Sequence, residues 1–415
     1  MKGHLIQIDA RDGAGAATRY LASVDDPLLC HLNGQQWVPA IAALPSLRYD
    51  FFGGDFNGAI TTPGASFSVA IEGISTFTAL RWSGARVRIY TGNVGDAWGS
   101  FTLRFDGRVN AEPTLNAGIA GFDSGPDDSW LDKPLLTLFA GTGGVEGPTD
   151  LTGAPKPVAL GSCRFAPGVL IDATNNVYCV SAYAVEGITA AHDRVVALGS
   201  STGNYADLAA LLAAALPAGG WGTCKALGLV RLGAPADGLV SFHVSGDNAG
   251  AGGYARRPGA MIRRLASIAG GTVNTANLAA LDTARPYDLA LVMIAQTTAR
   301  EMIQSLADSV CAVAGVTLTG TLFAAPLGYT SSSLTLKSDG TALPPVASVE
   351  VRPVAAPFWR LATEAEPTWV VHDPANVATE YNLRGLYSAS RVYRLDDVVV
   401  SADGSAWVYI NTTSA

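Results

Sequence analysis

Charge is what this 415-residue chain has least of: Asp, Glu, Lys and Arg together make up 15% of it, against 48% hydrophobic residues. A typical soluble domain carries about 25% charged residues, so a good share of this surface is expected to be covered by partners. The charge that remains sums to −8, with a pI near 5.1. That balance argues against a protein whose main task is holding duplex nucleic acid, because phosphate binding is led by clustered Lys and Arg. Arg256-Arg257 and Arg263-Arg264 are the only arginine pairs and read as the solvated face of a helix.

Cysteine is sparse and badly placed for a framework. Cys30, Cys163, Cys179, Cys224 and Cys311 are odd in number, widely spaced and free of any C-x-x-C pair. Neither a zinc site nor a set of disulfides is signalled, and buried free thiols made in a reducing cytosol are expected. A membrane-spanning run is missing too. The N-terminus has no long apolar h-region, and the longest uncharged run, residues 309–336, is rich in Thr, Ser and Gly and broken at Pro326.

Motifs of chemistry are equally thin. The histidines His4, His31, His192, His243 and His372 stand far apart in sequence, with no H-E-x-x-H or other i, i+4 pair to hold a metal. His192-Asp193 and His372-Asp373 come nearest to acid/base pairs but read as turns or caps, since no nucleophile or substrate group is marked beside them. No G-x-S-x-G elbow occurs. Asp127, Asp128, Asp132 and Glu146 offer carboxylates from which a sugar-cleaving pair could be drawn, but spacing in sequence does not establish the separation that chemistry requires. No catalytic residue, cofactor or metal ligand is therefore expected.

What the chain does have is short strands. Alternation at residues 5–9, 67–72, 87–90 and 101–105, with Asn33-Gly34 and Asp106-Gly107 as hairpin dipeptides and glycine breaks at 53–58, predicts a β-barrel or sandwich without a convincing helix. A second region opens at a glycine-rich junction and continues as apolar runs at 158–160 and 177–180. A helix follows over 204–217, with Asn204 as N-cap and Leu208, Leu211, Leu212 and Leu216 on one stripe, packed on strands at 227–232 and 239–244. Further on, Pro258 starts a helix that Gly270 stops. Thr298 and Glu301 form a capping box for a helix carrying Met302, Leu306, Val310 and Val313, which ends before Gly315. Strands at 316–323 and 334–337, then the Asp339-Gly340 turn, complete an α+β insert, and residues 347–371 read as strands again. The last segment, from Tyr393, pairs an Asp-Gly turn with an aromatic strand holding Trp407 and Tyr409. The closing Asn-Thr-Thr-Ser-Ala carries no stop of its own, which fits a chain that continues. At one domain per about 100–200 residues, several modules are expected.

The junction itself reads Phe-Ala-Gly-Thr-Gly-Gly-Val-Glu-Gly-Pro over residues 139–148, followed by Lys-Pro-Val-Ala-Leu-Gly and Leu-Ile-Asp-Ala-Thr-Asn-Asn-Val-Tyr. It is not a phosphate loop, because Gly147 is followed by Pro148 where Lys and a hydroxyl residue are needed. Gly141, Gly143, Gly144 and Gly147 read as an interdomain hinge whose backbone conformations are closed to other residues. The stretch resembles one found in tail-tip or baseplate hub proteins of long-tailed bacteriophages. A second match runs from Trp221 through Asp247, and a third, weaker one lies at Phe358-Trp-Arg with Trp369 and Asp373-Pro374.

The resemblance implies a mainly β, multidomain hub. Residues 1–134 would be a first tail-tube-like β-barrel and 135–247 a second with a flanking helix. Residues 248–345 would be the α+β insert, 346–380 a β linker and 381–415 a small C-terminal β module. It further implies a structural virion protein, three chains to a tip, joining a sixfold tube to a threefold spike or fibre. The implied partners are a distal tail or tube protein, the spike or fibre and the tape measure protein, with assembly in the host bacterial cytoplasm. An alternative is glycan or receptor binding through Trp407 and Tyr409; Trp221, Trp359 and Trp369 are expected mainly to pack in cores. A third is a peptidoglycan-degrading enzyme.

Overall fold

The computed structural model describes residues 1–48, 60, 62–74, 76–194, 196–327, 369, 382–389, 397–401 and 405–408. Expectations at 53–58, 334–337, 339–340 and most of 346–380, together with Trp359, His372, Tyr409 and residues 411–415, fall outside them. The chain is mainly β and divides into two compact units. The first draws its described residues from Met1–Leu135, Arg257–Tyr287 and Thr297–Ala362, the second from Leu136–Arg256, Asp288–Gln296 and Thr363–Ala415. The stretch expected as an α+β insert thus contributes to both.

In the first unit an antiparallel sheet curls as a half-barrel, in the order Gly15–Ala22, Lys2–Asp12, Arg81–Asn93, Thr102–Val109, Ile119–Pro126, Gly64–Ala70 and Ile41–Arg48. Alternation sends Ile6, Ile8, Val87, Ile89, Phe105, Phe122, Phe67 and Val69 to one face, where they form a single buried cluster. Aromatic rings fill its middle. Phe67 stacks on Phe122 at 5.0 Å, Trp82 meets Phe122 edge-on at 5.3 Å, and Phe77 lies 4.8 Å from Trp82. A parallel bridge from Leu21 to Val38 ties the first edge strand to the segment leading into the last. The opposite face is covered at Leu5, Ala22 and Phe101 by the hairpin His31–Leu32/Gln35–Gln36 and by a short helix, Pro27–Cys30, capped by Asp26.

Two turn assignments divide. Asn33 and Gly34 take the positive φ values, 56° and 67°, of a two-residue hairpin turn, as expected. Asp106 and Gly107, expected as a turn, lie inside Thr102–Val109 instead. Gly107 is there for room: a Cβ would collide with the Gly125 carbonyl of the next strand and lie 2.7 Å from the Phe105 ring. The hairpin turn falls at Ala117 and Gly118, with φ of 47° and 80°.

The α+β part of the first unit follows its caps. Helix Pro258–Ala269 has Pro at its first turn and ends in the left-handed Gly270, and helix Ala299–Ser309 carries the full Thr298/Glu301 capping box. That helix ends earlier than expected, because Cys311 turns the chain at φ 50° into strand Ala312–Val316. The expected strand over 316–323 is mostly the turn into Leu322–Pro326. Helix Thr275–Ala284 was not signalled: its buried residues are only Leu278 and Leu281, among alanines and polar residues that leave a faint stripe. Gly259 lets this helix close on Pro258–Ala269, donating its N–H to Asp282 Oδ1 at 2.6 Å. Arg300 clamps the next helix to the turn Ser129–Asp132 through Asp132 at 2.7 Å and Asp128 at 3.1 Å.

The second unit holds two five-stranded sheets. One runs Val196–Ala197, Val185–Asp193, Val240–Asp247, Val158–Pro167 and Ala290–Met293; the other runs Val169–Asp172, Val177–Cys179, Leu229–Leu232, Trp221–Cys224 and Ser201–Asn204. The flanking helix is shorter than expected, Leu208–Ala213, and its cap is Asp207 rather than Asn204. Asn204 belongs to a strand, where its side-chain oxygen accepts from the Lys225 N–H at 2.9 Å. Leu208, Leu211 and Leu212 pack with Phe139, Ile171, Val177 and Leu229, while Leu216 lies beyond the helix end. Arg231 closes that end, donating from Nη1 to the carbonyls of Leu211, Leu212 and Ala214 at 2.7–3.0 Å. A separate small sheet joins Asn382–Leu386, Asp397–Val400 and Ala406–Val408. No helix among the described residues is long and apolar enough to cross a membrane.

Candidate functional site

The junction forms a lobe of the second unit, closed on itself. Its two ends are laced by Phe139 N–H to the Ala154 carbonyl (2.9 Å), Gly153 N–H to the Phe139 carbonyl (2.9 Å) and Lys156 N–H to the Thr137 carbonyl (2.8 Å). Gly141, Gly143, Gly144 and Gly147 all have positive φ, at 69°, 90°, 59° and 67°. Gly143 and Gly147 combine this with ψ of 176° and 175°, a region reserved almost wholly for glycine. Gly141 is also needed for space, since a Cβ there would run into the Thr152 hydroxyl; at Gly143 nothing lies within 4 Å.

Glu146 is the only ionisable member of the glycine motif, and it holds the lobe together. Its carboxylate accepts from Lys156 Nζ at 2.6 Å and from the Ala140 N–H at 3.0 Å, while the ammonium sits 5.5 Å over the Phe139 ring. Lys156 first, then the Ala140 N–H, hold the Glu146 carboxyl below its ordinary range. A lysine committed in this way does not reach outward to a phosphate.

The other candidate carboxylates are also committed to cations. Asp132 is held below the usual carboxylate range by Arg300. Burial pushes Asp127 up, but hydrogen bonds from Arg108 and Ser129 outweigh it and leave the group lowered. A glycosidase acid needs its pKa raised. These three are lowered, which is the wrong direction for that role. Thiols go the other way: burial pushes Cys163 and Cys179 up to about 12, so they are packing groups. Only Cys311 is exposed.

Histidines far apart in sequence do meet. His192 and His243 lie with ring centroids 4.7 Å apart, and Phe165 is 4.8 Å from each. Both strands flanking Val240–Asp247 bulge across His243, between Cys163 and Ala166 on one side and between Ile188 and Ala190 on the other. The first bulge puts Phe165 at φ 50° and turns its ring onto the imidazoles. Each bulge is a one-residue mismatch between strands, and a one-strand pattern carries no trace of it. Asp193 behaves as a turn cap, accepting from the Asp237 and Gly238 N–H groups at 2.7 and 3.0 Å. No group of three or more His, Cys, Asp or Glu that could hold a metal occurs among the described residues.

The tryptophans separate. Trp221 is buried and donates its Nε1–H to the Gly199 carbonyl at 2.6 Å, and Trp369 packs partly buried against the core of its own unit. Trp407, in the small C-terminal sheet, is 63% exposed.

No protein-family model matches the chain, and no curated protein matches it in sequence. Among solved structures it is similar to a chain of the virion of a native gene transfer agent particle, at 12% identity over 59% of this chain and 80% of that one, with a TM-score of 0.24. It is also similar to the 43 kDa tail protein of prophage MuSo2 from Shewanella oneidensis, at 7% identity over 80% of this chain and 58% of that one, with a TM-score of 0.29. Both neighbours are particle or tail components. Superpositions this loose carry no argument about function.

Two predictions come from this geometry. A Cβ at Gly143 meets nothing within 4 Å, so Gly143→Val should cost mainly backbone strain, about 1–3 kcal/mol; Gly141→Val adds the collision with Thr152 and should cost more. Urea denaturation of the purified variants checks the order, and a Gly143→Val protein as stable as the parent contradicts it. Burial first, then Arg164, holds His243 below its ordinary pKa. The neutral ring therefore contributes stability in full above about pH 6.5, and that contribution is lost as pH falls below it towards the folded-state value. Stability measured between about pH 7 and pH 5 should decline, and His243→Phe should flatten that part of the slope. An unchanged slope in the variant contradicts the assignment.

Proposed function

We propose that this chain is a structural protein of a bacteriophage-type tail, a hub at the tip or baseplate that joins the tail tube to a distal spike or fibre. The observation that carries the reading is the junction at residues 139–156. In the stretch that resembles hub proteins, the motif residues are spent on architecture: its glycines supply backbone angles, and Glu146 ties the lobe to Lys156 and Ala140. A motif with no reactive group left over suits a scaffold, and the four glycines suit a stiff elbow setting the direction of the chain between β modules. Low charge fits extensive coverage by tail neighbours. On this reading the working surfaces are interfaces, and the protein is not an enzyme.

A second reading rests on Trp407. An indole exposed on a small sheet is a stacking platform for sugars, so the C-terminal module can act in receptor or glycan binding within the same tail tip.

Immunogold labelling of particles released by the bacterium that carries the gene tests the proposal. Gold at the distal end of tails is the expected result. Label confined to free protein or to the head contradicts it. Particles carrying Trp407→Ala separate the second reading, which predicts intact tails that adsorb poorly to host cells.

A further inference from the structure

A groove of about 420 Å³ opens in the first unit where the curled sheet meets the α+β part. Its charged lining is Arg86, Arg108, Lys133, Asp106 and Asp127, one more cation than carboxylate. Both carboxylates are already engaged. Arg86 holds Asp106 through Nε and Nη2 at 2.8 and 2.7 Å, and Asp127 accepts from Arg108 Nε at 2.8 Å and from the Ser129 hydroxyl at 2.9 Å. What remains is a set of donors. Lys133 has no ion partner among the described residues, and Arg86 Nη1 and Arg108 Nη2 make no hydrogen bond there. Trp130, 6% exposed and pinned against Gly271, forms part of the wall, and its buried Nε1–H has no acceptor among the described residues.

We propose that this groove binds the side-chain carboxylate of an extended protein segment from a neighbouring polypeptide. Unspent donors with one net positive charge match a single carboxylate. A phosphate backbone, with charge repeated along its length, would bring further negative charge against Asp106 and Asp127. Sites for small molecules are mostly apolar, whereas this lining is charged, and Gly270 and Gly320 put no side chain in the way of a chain lying along it. The inference stands on the first unit alone and does not depend on the tail reading.

Isothermal titration of the full chain with the capped tripeptide acetyl-Ala-Glu-Ala-amide tests it, with the Gln tripeptide, acetate and a duplex oligonucleotide as comparisons. The Glu peptide should saturate at one per chain and the Gln peptide should bind roughly tenfold more weakly. Lys133→Ala, at an exposed position, should lose roughly tenfold with an unchanged melting curve, and Lys133→Arg should restore binding. No saturable binding, equal affinity for the Glu and Gln peptides, or an unaffected Lys133→Ala protein overturns the proposal. Acetate binding as tightly as the peptide would make this a small-carboxylate site, and tight binding of the oligonucleotide a nucleic-acid site; either result also overturns it.

Discussion

The first unit depends on one constraint, that every second residue of its curled sheet points into the same filled interior. Side chains alternate with a period of two, so a one-residue slip in any strand would turn Phe67, Phe105 or Phe122 outward and bring Ser66, Arg104 or Asp123 in. Aromatic volume sets the register. Phe67, Phe77, Trp82 and Phe122 touch one another at 4.8–6.4 Å, and each buried ring removes about 150–250 Å² from water. A sheet filled in this way is not a conduit. If the protein surrounds a passage in a tail, as the proposed hub would, that passage does not run through the interior of this sheet.

The same economy of reactive groups runs through the rest of the chain. Asp127, Asp128, Asp132 and Glu146 each face an Arg or Lys at 2.6–3.1 Å. Their work is to join segments that local sequence does not join: Arg300 reaches back from a helix to a turn that precedes it by well over a hundred residues. Ion pairs that keep contact with water contribute modestly to stability, and the value of these lies in fixing where one element sits on another. Arg231 has a comparable role, closing three helix-end carbonyls of Leu211, Leu212 and Ala214.

Legibility in the sequence followed how local the deciding physics was. The strand alternation, the Asn33-Gly34 turn, the Pro258 start, the Gly270 stop and the Thr298/Glu301 box are set within a few residues, and the sequence showed each of them. Where a neighbour far along the chain decides, the local signal misleads. Asp106-Gly107 has the composition of a turn, yet Gly107 answers to the Gly125 carbonyl across the sheet. Asn204 has the chemistry of a cap, yet it is taken up by a strand and its oxygen by Lys225. The meeting of His192, His243 and Phe165 needs two bulges in strands that join only in the fold. At the candidate site the glycines could be named from the sequence, while the closure of their lobe by Glu146 and Lys156 could not.

On the function proposed above, the molecule works through its faces, as a repeated part of a tail tip. With two β-rich units per chain, three copies would present six such units, matching a sixfold tube on one side and a threefold spike on the other under closed cyclic symmetry. A cryo-EM reconstruction of the tail end of intact particles measures this directly. The account predicts three copies of this chain around the tail axis, with density along that axis between the chains. A single copy, a ring of six, or a tail end without the chain would contradict it.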